Sequence, residues 1–186
     1  KGMLESSHPL LIGSAQSLVA TRALVAEDDV VLAIGTELAE TDYDVTFAGG
    51  FEIPGALLRV DIDPDQTVRN YPPHLALVAD ARSASQALLD GLKQQSLTQR
   101  NSDWGQVRAA RLRADLDRDW DVATRAQTLF IDTVLQALPD AVFVGDSTQP
   151  VYTGNLTFNP EHPRRWFNAS TGYGTLGYAL PAAIGA

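Results

Sequence analysis

Two stretches of the chain hold residue types that can do chemistry at close quarters. The first is Asp146-Ser147-Thr148-Gln149, where hydroxyls, an amide and main-chain N–H groups follow the apolar run 141–144. At the end of a strand such groups can hydrogen-bond a phosphate. Equally, they can form an ordinary polar loop that caps the next segment. The second stretch, 170–177, carries Gly172, Gly174 and Gly177. Glycine lets the main chain approach a ligand closely and take positive φ, and a glycine-rich loop opening a helix presents N–H groups to an anion. The spacing Gly-x-Gly-x-x-Gly is also that of dinucleotide sites. The acidic residue about 20 positions further on, which such sites use for ribose, has no counterpart before Ala186.

Other polar groupings have simpler readings. Asp61 and Asp63, followed by Pro64, suit a turn at a strand end, with a ribose or metal contact as the alternative. Asp42 and Asp44 could be called metal ligands. Asp115, Asp117, Asp119 and Asp121 alternate with Arg113 and Arg118, the pattern of a solvated helix face rather than a metal site. His8, His74 and His162 lie far apart beside prolines or in loops, without metal-ligand spacing. Trp104, Trp120 and Trp166 read as packing residues.

Both loops need strands behind them, and the sequence supplies candidates. Residues 14–26 have helical composition. The run 30–34 is apolar and β-branched, ending at Gly35, as a buried parallel strand does. Residues 57–62 and 75–78 give two more strands, and 83–92 a helix. The segment from Lys93 turns polar, then charged with one apolar seam up to Trp120. A helix over 128–138 stops at Pro139, a buried strand covers 141–144, and a short strand covers 165–168. A last helix starts near Leu180-Pro181, proline suiting a first helical turn. The pattern predicts an α/β protein: two incomplete Rossmann-like parallel-sheet units joined by a helical linker, with ligand loops at the carboxyl ends of strands.

Composition narrows the function. With 186 residues, 45% of them hydrophobic, the chain can pack a core. Its net charge of −9 argues against a nucleic-acid partner, which needs clustered cations. No apolar run reaches the roughly 20 residues that span a bilayer, so no membrane partner is expected. The absence of cysteine excludes disulfides and thiolate chemistry and fits a reducing, cytoplasmic setting. The apolar end, 178–186, suggests a piece of a longer protein.

With these residues in view, the chain resembles thiamine-diphosphate-dependent 2-oxo-acid enzymes of the decarboxylase and acetolactate synthase type. The most specific stretch is 166–186, WFNASTGYGTLGYALPAAIGA. Lys1-Gly2 through His8-Pro9, the VLAIGT run from Val31, VDIDP from Val60 and Val78-Ala79-Asp80 match in family order. The resemblance implies that 1–92 are the later part of the family's middle domain, 93–122 a helical linker, and 123–186 the start of its pyrophosphate-binding domain. It implies Ser147, Thr148 and Gln149 at the diphosphate, with Gly172 and Thr175 in the cofactor loop. Gly174 would accept a hydrogen bond from the cofactor's 4′-amino group, and Leu176 would be the apolar wedge behind its bent form. It further implies thiamine diphosphate and Mg2+ as cofactors, both needing residues outside this chain, a small 2-oxo acid as substrate, and a homo-oligomer, dimer or tetramer. On this reading the metal motif and the activating glutamate lie elsewhere, so the chain alone is inactive and names no catalytic or metal-binding residue of its own. Relatives that bind FAD place arginine after the strand-end glycine. Gly35-Thr36-Glu37 departs from that and argues against FAD. The loop at 146–149 is closer to decarboxylases than to synthases. The alternative is a non-catalytic Rossmann-like nucleotide-binding or structural module, which needs only the α/β pattern and the glycine loop.

Overall fold

A computed structural model of the chain describes residues 3–40, 51–97, 103–170 and 173–186. The chain divides into two compact units, Gln16–Trp104 and Lys1–Ala15 with Gly105–Ala186.

In the first unit, helix α1 (Val19–Ala26) leads into β1 (Val30–Ile34), β2 (Ala56–Asp61), a 3₁₀ turn (Gln66–Val68), β3 (Leu75–Val78) and α2 (Ala81–Gln94). The strands pair in parallel in the order β1-β2-β3, with Leu32 opposite Leu58 and Leu58 opposite Leu75. One face is packed: Ala33, Leu38, Phe51 and Leu57 form its core, with Val25, Ile53 and Tyr71 against them. Burying such side chains is the main stabilising term. The expectation of fully buried strands needs correction. Val30, Leu32 and Ile34 of β1 and all four residues of β3 are exposed. An apolar run reports only that a strand forms: β1 is covered on the face of Val31 and Ala33 and open on the other, and β3 is exposed on both.

Arg59 sits in the middle of β2 and is 1% exposed. Its guanidinium donates to the carbonyls of Thr36 (2.7 Å), Arg69 and Tyr71 (3.4 Å), tying the loop after β1 to the loop before β3. Asp61 and Asp63 make the turn read from the sequence: their carboxylates accept from the N–H groups of Asp63 and Asp65. Asp80 starts α2 by accepting from the Ser83 N–H at 3.0 Å.

In the second unit, α3 (Trp104–Asp119) buries Ala109, Leu112 and Leu116, and Arg113 donates to the Pro9 and Leu11 carbonyls, fastening the amino-terminal segment. The aspartate run lies along exposed helix surface, with Arg111 and Arg118 on Asp115 and Arg125 on Asp117. Asp121 has a different role. It caps α4 (Val122–Ala137) by accepting from the Thr124 N–H at 2.7 Å, so this helix begins six residues before the expected 128. Strand β4 (Phe143–Gly145) pairs in parallel with β5 (Trp166–Asn168), Phe143 facing Trp166. Between them runs α5 (Gln149–Thr157), and α6 (Ala179–Ile184) follows β5. Rings of Phe143, Phe158 and Trp166 meet at centroid distances of 5.2–5.5 Å, so Trp166 packs as expected, whereas Trp104 is largely exposed. Helix α5 can sit this close only because of Gly154: a Cβ there would lie 2.2 Å from Trp166 Cη2 and 3.0 Å from Ile131 Cδ1.

Candidate functional site

The carboxyl ends of β4 and β5 bring the two loops together. Strand β4 ends at Gly145, and Asp146-Ser147-Thr148 cross to α5, where Pro150 occupies the first turn. Pro150 is the sequence signal for this helix. The Thr148 carbonyl accepts from the N–H groups of Val151 and Tyr152. Thr148 and Gln149 are exposed at the helix start.

Asp146 reaches across to the glycine loop. One carboxylate oxygen accepts from the Ala179 N–H at 2.7 Å and the other from the Gly177 N–H at 3.1 Å. Ser147 points its hydroxyl at Gly174, which sits at φ +60° with its Cβ position 3.6 Å from Ser147 Oγ. The Ser147 hydroxyl is buried and has no hydrogen-bond partner among the described residues. A buried hydroxyl left unmatched costs free energy, of order 1–3 kcal/mol, and such groups mark places where a ligand or water completes the site. Of the other candidates, Thr175 and Leu176 lie on the same loop and are exposed, Leu176 at 73%. Gly172 falls outside the described residues.

The loop's other end is held by a residue that sequence reading missed. Asn155, on α5, accepts from Trp166 Nε1 (2.8 Å) and Asn168 Nδ2 (3.0 Å) and donates to Ser170 Oγ (2.6 Å). Asn168 in turn accepts from the Ser170 N–H at 3.0 Å. A half-buried asparagine with both ends of its amide satisfied fixes where β5 hands over to the glycine-rich loop. No motif announces it, since its partners lie 11–15 residues away.

Ser147 and the Gly174 backbone offer groups that an anionic ligand could use. Ser147 can donate, the positive φ of Gly174 lets main-chain atoms come close, and the one nearby carboxylate, Asp146, is already engaged. The strand-end loops of the first unit are less open: Arg59 and the aspartates spend their polar groups on neighbouring main chain. Among the described residues no three His, Asp or Glu side chains gather where they could hold a metal ion, and no helix is long and apolar enough to cross a membrane.

Comparison with known proteins gives the family. Residues 1–88 match the family model "Thiamine pyrophosphate enzyme, central domain", and residues 146–186 match "Thiamine pyrophosphate enzyme, C-terminal TPP binding domain". The second match starts at Asp146 and so takes in both loops. A probable 2-ketoarginine decarboxylase of Pseudomonas aeruginosa is 41% identical over the whole chain, which corresponds to 32% of that relative. The acetolactate synthase large subunit of Corynebacterium glutamicum is 30% identical over the whole chain and 30% of its own length. The isozyme 3 large subunit of Escherichia coli is 29% identical over 84% of the chain and 28% of its own length. The chain thus spans about a third of the length of the curated relatives it matches. On two family models in sequence order and relatives aligned end to end, the chain belongs to the thiamine-pyrophosphate-dependent enzymes and carries parts of their central and cofactor-binding domains.

Proposed function

We propose that these residues are part of a thiamine-diphosphate-dependent enzyme that decarboxylates a 2-oxo acid. The observation that carries it is the buried, unpartnered Ser147 hydroxyl facing Gly174, inside the stretch matched to the family's cofactor-binding domain. Ser147, Thr148 and Gln149 would hold the diphosphate with hydroxyl, amide and α5 N–H groups. The Gly174 carbonyl would orient the 4′-amino group. Leu176, exposed beside it, would give that ring an apolar contact, and Gly172 and Thr175 would complete the loop. When bound, thiamine diphosphate supplies the carbon nucleophile and electron sink that loss of carbon dioxide from a 2-oxo acid requires. The chain's own residues contribute position and a partly dry environment, which lowers the cost of orienting the reactants. Mg2+ belongs to the same reading: it would be held by residues outside this chain and would neutralise charge on the diphosphate. Residues 1–92 would be the later part of the middle domain, 93–122 a linker and 123–186 the start of the cofactor domain, in a homo-oligomer.

Decarboxylation is placed first because the 41% identical relative is named for it and the 146–149 loop departs from the synthase pattern. A 2-oxo acid of the 2-ketoarginine kind is the first substrate to try. Acetolactate-type carboligation is the second reading, supported by the synthase relatives. The test is calorimetric titration of the native full-length protein with thiamine diphosphate, with and without Mg2+, and with NAD. Assays of carbon dioxide release from 2-ketoarginine and pyruvate, and of acetolactate formation, then follow. Magnesium-dependent binding with carbon dioxide release and no acetolactate is expected. Acetolactate as the main product would select the second reading. Binding of NAD but not thiamine diphosphate would overturn both and leave a Rossmann-like nucleotide module.

A further inference from the structure

We infer that Asp146 is a positioning residue: its carboxylate latches the segment from Gly174 to Ala179 onto the end of β4 and so sets the glycine loop against Ser147. The inference rests on the thiamine diphosphate reading for its ligand but on this chain's own geometry for its mechanism. Helix α6 begins without a local cap. The residue before it is Tyr178, already at helical dihedrals of φ −70° and ψ −39°, with no side-chain hydrogen bond to the first turn. The N–H groups at a helix start need acceptors. Here they come from a residue more than 30 positions earlier: Asp146 takes the Ala179 N–H at 2.7 Å and the Gly177 N–H at 3.1 Å.

Charge-assisted bonds to both oxygens are stronger and more directional than neutral ones. They fix the loop in two places, because one bond falls inside the glycine segment and the other inside the helix. Asp146 and Ser147 are neighbours facing the same loop with opposite fates: the anion is spent on protein N–H groups, and the neutral hydroxyl is left without a partner. That division suits an anionic ligand. A free carboxylate beside a diphosphate would repel it, whereas one turned to a helix start is compensated there. Asp146 therefore acts through the loop and is not itself a ligand to the cofactor.

The experiment compares wild type with Asp146→Asn and Asp146→Glu in the native full-length protein. The readouts are hydrogen-exchange mass spectrometry of peptides covering 173–184, without cofactor, and the affinity for thiamine diphosphate with Mg2+. Asp146→Asn keeps the shape but turns an N–H2 group toward a main-chain N–H. Exchange in 173–184 is expected to speed up at least tenfold and affinity to fall at least tenfold. Asp146→Glu keeps both oxygens and should recover most of both losses. Unaltered exchange in Asp146→Asn overturns the latch, and faster exchange with wild-type affinity overturns its role in positioning the loop. If wild type takes up no thiamine diphosphate, it is the cofactor reading that fails. Exchange alone then decides the latch.

Discussion

The two units end their parallel strands in loops of similar composition but treat the polar groups differently. Among the described residues after β1 and β2 the polar groups are spent on main chain: Arg59 holds carbonyls from both sides, and Asp61 and Asp63 each accept from the residue two positions on. After β4 and β5 the loops are bridged to one another by Asp146, and the Ser147 hydroxyl between them is left unmatched. Among the described residues the first unit also has unmatched buried atoms, the Thr21 hydroxyl within α1 and, near its turn, the Gln66 side-chain oxygen. The Gln66 oxygen can only accept, whereas a serine hydroxyl can donate to an anion. Polar residues at a strand end are therefore no guide to a site. What distinguishes the two is whether a buried donor remains at the strand-end loop itself: Ser147 lies there, whereas Thr21 lies within α1.

The sharpest way to break this comparison is to open the closed loops. Arg59→Met removes the guanidinium and leaves the Thr36 and Arg69 carbonyls without their donor. Orphaned acceptors and a lost charge-assisted network should cost about 3 kcal/mol, shifting the unfolding midpoint down by roughly 6–12 °C. Thermal and urea unfolding check it. A shift under about 2 °C would mean that the loops of the first unit hold themselves without Arg59.

Packing gives the next largest effect, again by contrast. Gly154→Ala forces a methyl to within 2.2 Å of the Trp166 ring and should destabilise by about 1–3 kcal/mol. Gly91→Ala, in α2, meets nothing within 4 Å and should stabilise by about 0.5–1 kcal/mol. Both glycines lie within helices, so equal shifts for the two would contradict the close approach of α5 to β5. Unfolding midpoints in urea compare them directly.

These cases also show what could be read beforehand. The runs 30–34 and 75–78 are strands to the residue, because a short apolar run flanked by turn residues has few alternatives. Helix α1 starts at Val19 rather than 14 and β4 at Phe143 rather than 141, since boundaries depend on caps and partners. Helix α5 went unread although Pro150 marked its start, because QPVYTGNLT has no amphipathic period: its buried residues are Val151, Thr153 and Gly154. At the site, Ser147 and the glycine loop were legible from residue type. Asn155 and the role of Asp146 were not, since each acts on partners 11–33 residues away that only the fold brings near.

Ser147→Ala tests the open loop in the opposite sense from Arg59→Met. Deleting a buried hydroxyl without a partner should leave stability within about 0.5 kcal/mol of wild type, or raise it. If the hydroxyl meets the diphosphate, affinity for thiamine diphosphate should fall about tenfold, equivalent to about 1.4 kcal/mol. Calorimetry and urea unfolding together separate the two effects. Lower stability with unchanged affinity would place Ser147 with the closed loops and remove it from the site.

The smallest effect is expected where the units are alike. Asp80 and Asp121 each cap a helix, and each carboxyl is held below its ordinary value of 3.8, first by a main-chain N–H bond (from Ser83 and Thr124) and then by the same residue's hydroxyl. A carboxyl whose folded value is depressed contributes stability that is fully present above the unfolded value. That contribution is lost as pH falls through the lower, folded one, because the unfolded chain takes up the proton first. Both caps should therefore contribute in full at pH 7 and weaken only below about pH 4. Asparagine also caps helices but does not titrate there. Asp80→Asn and Asp121→Asn should match wild type near neutrality and flatten the acid limb of stability against pH, the double variant more than either single one. The two caps belong to different units, so unequal flattening would reveal which unit unfolds first in acid. No flattening in the double variant would mean that other carboxylates govern the acid limb.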